Sequence, residues 1–200
     1  MRKTAQDRKV EISRTVLDLA FEVGPDQVTT GMIAKRLGLS QPAIYKHFPS
    51  KDDIWNAVAD HVCARVNENI AQAATGTHSP DDRLRMLVIG HLRLVRDNPA
   101  LPEIMVMRTL QNAHGPLQTQ MRTVMAEFRN ALVANVADAV EQRIFRNDLD
   151  PTDASTLVFG IIQSLVLRML LARDPDILTQ DGTRLLDLLL SGFALSEVSR

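Results

Sequence analysis

Between Thr29 and Lys51 the chain reads TTGMIAKRLGLSQPAIYKHFPSK, and its punctuation admits few conformations. Thr29 or Thr30 offers a hydroxyl that caps a helix, and Ile33, Ala34 and Leu37 follow at the spacing of one buried helical face. Gly38 stops that helix, because glycine takes the left-handed conformation at a helix end without penalty. Leu39 is placed to enter the core between two helices, and Ser40 to cap the second. Pro42 lacks an N–H and fits only a first turn, so the second helix is predicted from about Gln41 to His47.

The second helix divides its side chains. Ile44 and Phe48 are four apart and share the face that anchors it. Gln41, Ala43, Tyr45, Lys46 and His47 point elsewhere. Small and hydrogen-bonding residues at the start of a short helix suit the major groove of DNA, where Gln41 can pair with adenine and Pro42 or Ala43 can touch a thymine methyl. Tyr45, His47 and Lys51 are expected on the phosphate backbone, and the helix starts at Thr30 and Ser50 add dipole sites for phosphate. Thr29, Lys35, Ser40 and Lys46 complete the candidate DNA-contacting set.

The run LSQPAIYKHFPSKDDIW, with Ile33-Ala34 upstream and an amphipathic helix before it, resembles the TetR family of bacterial transcriptional regulators. The resemblance covers roughly residues 8 to 60, and its most specific part is Tyr45-x-His47-Phe48-x-x-Lys51. It implies a dimer formed through the last two long helices and a helical body that binds a ligand. No motif in that body names an effector.

Charge distribution agrees with a reading head at the N-terminus. The whole chain carries a formal charge of −1, yet residues 1–51 carry +4 and the remainder −5. One basic end on an acidic body is expected when only that end approaches DNA. Apolar residues make up 45% and aromatics 4% of the 200 residues, which favours helix over sheet and provides for a real core. The single cysteine, Cys63, excludes an internal disulfide and suits a reducing cytoplasm, as does the lack of an apolar signal region. No histidine or cysteine spacing fits a metal site: His61 and Cys63 are two apart on one helix, and His78, His91 and His114 are unrelated in spacing. No nucleophile or acid–base motif points to an enzyme, and no cofactor is implied.

Helix signals organise the rest of an all-α chain of about nine helices. The first is predicted from Thr4 to Val23, burying Ile12, Val16, Leu19 and Ala20, so that residues 1–52 form a three-helix DNA-binding domain. Ser50-Lys51-Asp52-Asp53 opens a connecting helix over 53–73, which Ile54, Trp55, Val58 and Val62 tie to the head. Residues 74–200 are read as an effector-binding and dimerisation domain. Within it, helices are expected from Ser79 to Asn98, over about 100–110, from Pro116 to about Phe145, from Asp150, and over about 181–197.

The apolar run from Ala154 to Ala172 approaches the length of a membrane span, but Gln163 and Arg168 interrupt it, and burial among protein is the preferred reading. Leu157, Ile161, Leu165 and Met169, with Leu185, Leu189, Gly192 and Phe193, are the expected dimer contacts. Met86, Met105, Met107, Met121 and Met125, with Phe128 and Phe159, form an adaptable apolar group for an organic effector, and His91, Gln111 and Gln163 are candidate polar contacts. The function expected is a dimeric, ligand-released repressor on a pseudo-palindromic operator. The alternative is an architectural DNA-binding protein with the same head and no effector.

Overall fold

The computed structural model describes residues 4–75, 77–105 and 116–195. Among these the chain is all-α: α1 (Ala5–Val23), α2 (Thr30–Leu37), α3 (Gln41–Tyr45), α4 (Lys51–Ala74), α5 (Pro80–Asp97), α6 (Pro116–Glu141), α7 (Pro151–Ala172) and α8 (Ile177–Phe193), with a 3-10 turn at Pro25–Gln27 and helical residues at 101–105. The predicted helix over 100–110 is therefore seen in its first half, and the rest lies outside the described residues. Two compact units emerge, one of Met1–Ala64 and Asn98–Met121, the other of Arg65–Asp97 and Arg122–Arg200.

In the first unit, local chemistry starts α1 and α4 where the sequence signals stand. Thr4 caps α1 in a reciprocal box with Asp7, which satisfies two otherwise orphaned N–H groups. Ser50 and Asp53 do the same for α4: Asp53 N–H donates to Ser50 Oγ at 3.1 Å and Ser50 N–H donates back to Asp53 Oδ2 at 2.9 Å. Ile12, Val16, Leu19 and Ala20 of α1 are buried, as are Ile33 and Ala34 of α2, Ile44 of α3, and Ile54, Trp55, Val58 and Val62 of α4. Cys63 is also buried, which raises its thiol pKa, and it donates to Met121 Sδ at 3.1 Å.

The second unit is built on α5, α7 and α8, with contributions from the end of α4 and most of α6. Its core includes Leu84, Leu87, Val88 and Leu92 of α5, Phe128, Leu132 and Val136 of α6, Val158, Ile162, Leu165 and Met169 of α7, and Leu186 and Leu190 of α8. Polar clasps register the helices. Arg83 donates to Asn135 Oδ1 at 2.8 Å and to Asp138, and Asp181 accepts Arg168 of α7 and Arg184 of its own helix, each at 2.8 Å. Those two guanidiniums hold the Asp181 carboxyl below its ordinary pKa.

In the second unit three boundaries differ from expectation. The last helix starts at Ile177 rather than near Asp181, because Pro175-Asp176 already supplies a helix start: Leu178 N–H bonds to Pro175 O and Gln180 N–H to Asp176 O. It ends at Phe193, where the chain turns to pair with residues 144–146: Arg146 N–H donates to Phe193 O and Leu195 N–H to Ile144 O. Helix α6 ends at Glu141, four residues before Phe145, with Arg143 left-handed at φ 59°.

Candidate nucleic-acid interface

Helices α2 and α3 are joined by a turn that glycine makes possible. Gly38 sits at φ 66°, ψ 30°, its N–H bonds to Lys35 O, and the next N–H, that of Leu39, reaches back to Ala34 O at 2.8 Å. These are the two bonds of a Schellman closure, and they turn the chain within two residues. Leu39 is half-buried beside it. Thr29, not Thr30, caps α2: its hydroxyl accepts from Met32 N–H at 3.2 Å. The Thr30 hydroxyl is thereby left to meet Tyr45 Oη at 3.4 Å.

Ser40 occupies the N-cap position of α3 with extended backbone, but its side chain caps nothing, contrary to expectation. The reason lies in the two residues that a cap would serve. Pro42 has no N–H to offer, and Ala43 N–H is already bonded to the Ser40 carbonyl at 3.0 Å. The exposed Ser40 hydroxyl thus joins the outer surface of the head. Helix α3 ends at Tyr45, two residues short of the predicted end, because His47 N–H turns tightly onto Ile44 O at 2.9 Å.

Ile44 and Phe48 are buried as their spacing predicts, and Lys9 Nζ lies 5.6 Å from the centre of the Phe48 ring. The other face remains outward: Ser40, Gln41, Pro42, Tyr45 and Lys46 are exposed, Ala43 and His47 half-buried. Lys35 and Lys51 are also exposed, as is Thr29, while Thr30 is half-buried. Two features of this surface were not legible from spacing. Gln41 lies against α2, where a Cβ added at Gly31 would fall 2.8 Å from Gln41 Nε2. Arg36 is engaged by Glu22 of α1 through two bonds of 2.9 and 2.6 Å, which lowers the Glu22 pKa and directs one cation of the head to structure.

Of the residues expected to hold an effector, His91, Phe128 and Phe159 come together through ring contacts in the second unit. In the second unit His91 and Phe128 are buried, Phe159 and Met125 half-buried, and Met86 and Gln163 exposed. Met105 and Met121 are half-buried in the first unit, while Met107 and Gln111 lie outside the described residues. The expected dimer stripe divides similarly. Leu157 is 55% exposed and Gly192 is exposed; Ile161, Leu185 and Leu189 are half-buried; Leu165, Met169 and Phe193 belong to the chain's own core. Steps of four advance by about 40° around a helix, so a row from 157 to 169 rotates by about 120° and leaves the outer face. The outward apolar residues of α7 and α8 are Leu157, Leu167, Leu171 and Leu188, the last two 79% and 68% exposed. Helix α7 is long and apolar enough to cross a membrane by length and composition, with a mean hydropathy of 1.8. Among the described residues no cluster of His, Cys, Asp or Glu could hold a metal ion.

A glycine-closed turn between two helices, a third helix behind them, and a short outward helix edged with amide, hydroxyl and cationic groups define a helix-turn-helix DNA-binding head. Residues 15–58 match the family model of bacterial regulatory proteins of the tetR family, and residues 104–181 match the tetracyclin repressor-like C-terminal domain. The chain belongs to the TetR family of bacterial regulatory proteins.

Its relatives include the nucleoid occlusion factor SlmA of Haemophilus influenzae, 23% identical over 146 residues covering 72% of this chain and 65% of that protein. The tetracycline repressor protein class A from transposon 1721 of Escherichia coli is 38% identical over 85 residues, 42% of this chain and 37% of that one. The chain thus spans less than two thirds of the length of both. Among solved structures, the ketosteroid transcriptional regulator KstR2 of Mycobacterium tuberculosis has the same fold at a TM-score of 0.78 and 20% identity, covering 94% of this chain and 96% of its own. The TetR family regulator PfmR of Thermus thermophilus aligns at a TM-score of 0.71 and 24% identity, covering 90% and 97%.

Proposed function

We propose that two copies of this chain pair through the outer faces of α7 and α8, place their α3 helices in successive major grooves of a pseudo-palindromic operator, and repress transcription until a small, mainly apolar organic ligand releases them. The observation that carries this reading is the outward edge of α3, where Ser40, Gln41, Pro42, Tyr45 and Lys46 stand exposed over a buried Ile44 and Phe48. Gln41 reads a base, with Pro42 and Ala43 against thymine methyls. Thr29, Thr30, Lys35, Ser40, Tyr45, Lys46, His47 and Lys51 hold phosphates and set register. One short helix binds weakly, and pairing two at about one DNA turn multiplies their affinity.

The outward leucines Leu157, Leu167, Leu171 and Leu188 support the pairing surface, since an apolar face of this kind on a DNA-binding protein of the cytoplasm is stable only when covered. Residues 1–52 act as the head, 53–73 as the connection and 74–200 as the sensing and pairing body. A ligand that favours one body conformation by about 1–3 kcal/mol shifts the heads off operator spacing. Sedimentation of the whole chain with an operator duplex tests the assembly. Two chains per site are expected, and Leu171→Asp with Leu188→Asp should give a monomer that no longer holds the site. An unaltered dimer in the double variant would remove α7 and α8 from the interface.

A second reading is favoured by the relatives named as nucleoid occlusion factors: a DNA-binding protein that acts by occupancy, without an effector. Broad genomic occupancy, and an operator affinity indifferent to every ligand that saturates the body, would select it.

A further inference from the structure

His91 lies on α5, 8% exposed, with its ring centroid 4.5 Å from that of Phe128 on α6. Phe128 is fully buried, and its centroid is 6.5 Å from that of Phe159 on α7. The Arg129 guanidinium stands 6.0 Å from the centre of the Phe159 ring. Three helices of the second unit thus contribute to one aromatic row, which begins at a buried imidazole and ends at a half-buried phenylalanine beside an exposed cation.

Among the described residues, Nδ1 of His91 is the buried side-chain polar atom that has no hydrogen-bond partner. The carbonyl one turn back on the same helix, Leu87 O, is occupied: besides its helical bond it accepts from Asn69 Nδ2 at 2.8 Å. Asn69 can approach because residue 90 is glycine, where a Cβ would collide with Asn69 Oδ1. An unmet polar atom in a packed interior costs stability unless something supplies the missing bond, and each such atom calls for a cause.

We propose that the His91–Phe128–Phe159 row is one wall of a binding site for a neutral apolar molecule bearing a hydroxyl group, an alcohol or phenol, whose hydroxyl completes the bond missing at His91 Nδ1. A hydroxyl both donates and accepts, so it satisfies either imidazole tautomer. Burial holds the ring neutral, with its pKa lowered to about 4. A carboxylate brought to that nitrogen would be a buried anion without a countercharge, and Arg129, at the outer end of the row, would draw it away from the imidazole. The aromatic faces supply apolar contact along the rest of the molecule. The biological role of such a ligand rests on the effector reading above; the site itself does not.

The test uses the full chain and three probes of one shape: 4-butylphenol, 4-butyltoluene and 4-butylbenzoate. Calorimetry should show the phenol binding about tenfold tighter than the toluene, the worth of one buried hydrogen bond, and tighter than the benzoate. The His91 nitrogen signal should move with phenol and not with toluene. In His91→Phe, which keeps the ring stacking and removes both nitrogens, the phenol and toluene should bind within about twofold of each other while the melting temperature rises. His91→Gln restores a polar group and should recover part of the preference. Equal binding of phenol and toluene to the wild type, preference surviving in His91→Phe, benzoate binding tightest, or no binding of any probe would each overturn the proposal. Release of DNA by bound phenol is measured separately, and its failure would count against the effector reading alone.

Discussion

Gly31→Ala should separate the stability of the head from its reading of DNA. Gly31 is the second residue of α2, and an added Cβ would fall 2.8 Å from Gln41 Nε2, well inside ordinary contact. The obstructing atom is the far end of an exposed, flexible side chain, which moves aside without straining the backbone. Alanine meanwhile removes the conformational penalty of a helical glycine, worth up to about 1 kcal/mol in a helix interior and less in a first turn. Stability should therefore hold or rise by less than about 1 kcal/mol. DNA reading should respond differently, because Gln41 is displaced from its place over α2. A bidentate amide–adenine contact discriminates by about 1–3 kcal/mol, so preference at one base pair should weaken roughly 5- to 150-fold while the other positions keep theirs. Urea unfolding can be followed through Trp55, the single tryptophan, which is buried in the same unit, and base preference by competition with single-base variants of the bound site. A loss of more than about 1 kcal/mol of stability would refute the packing argument. An unchanged base preference would remove Gln41 from base reading, and a uniform loss would assign it to the backbone.

Gly38→Ala places a side chain at φ 66° and should cost roughly 1–2 kcal/mol in urea unfolding, because that turn requires left-handed backbone. Ile44→Ala empties a fully buried position between α3 and its neighbours and should cost about 2–5 kcal/mol, measured the same way. His91 titrates near 6.5 in the unfolded chain and about 4 when folded, because burial disfavours the imidazolium. The unfolded chain therefore holds the extra proton between those values. Stability from this residue should be full above pH 6.5 and fall by about 3 kcal/mol as pH drops to 4, a slope that His91→Phe should flatten in denaturation curves. Lys51→Ala should weaken operator and random DNA alike and lower the salt slope of binding by about one.

The parts of this fold legible in the sequence are those decided within a few residues. Thr4 with Asp7, Ser50 with Asp53, and Asp150 before Pro151 each start a helix because the partner of the cap lies within three positions. Gly38 ends one for the same local reason. Local signals fail where two of them compete. Ser40 looks like a cap, but the proline two residues on removes one N–H it would serve and the backbone takes the other. Asp181 looks like a helix start, yet Pro175-Asp176 precedes it and Asp181 is held instead by two arginines.

Side-chain pairings between distant positions carry no comparable signal. Nothing in the spacing of Gly31 and Gln41, of Glu22 and Arg36, or of His91 and Phe128 announces that they meet, because the fold brings them together rather than the helix period. The row from Leu157 to Met169 shows the related limit: a four-residue repeat resembles one face over two turns and drifts off it over three.

The Gln41–Lys51 segment is expected to read DNA only as one of a spaced pair. Genome-wide footprinting of the full chain at nucleotide resolution tests it most directly. Inverted repeats are expected, with half-site centres about 10 base pairs apart, or a multiple of that, and protection on one face of the duplex. Protected sites consisting of single, unpaired half-sites, or occupancy without any shared sequence, would contradict it.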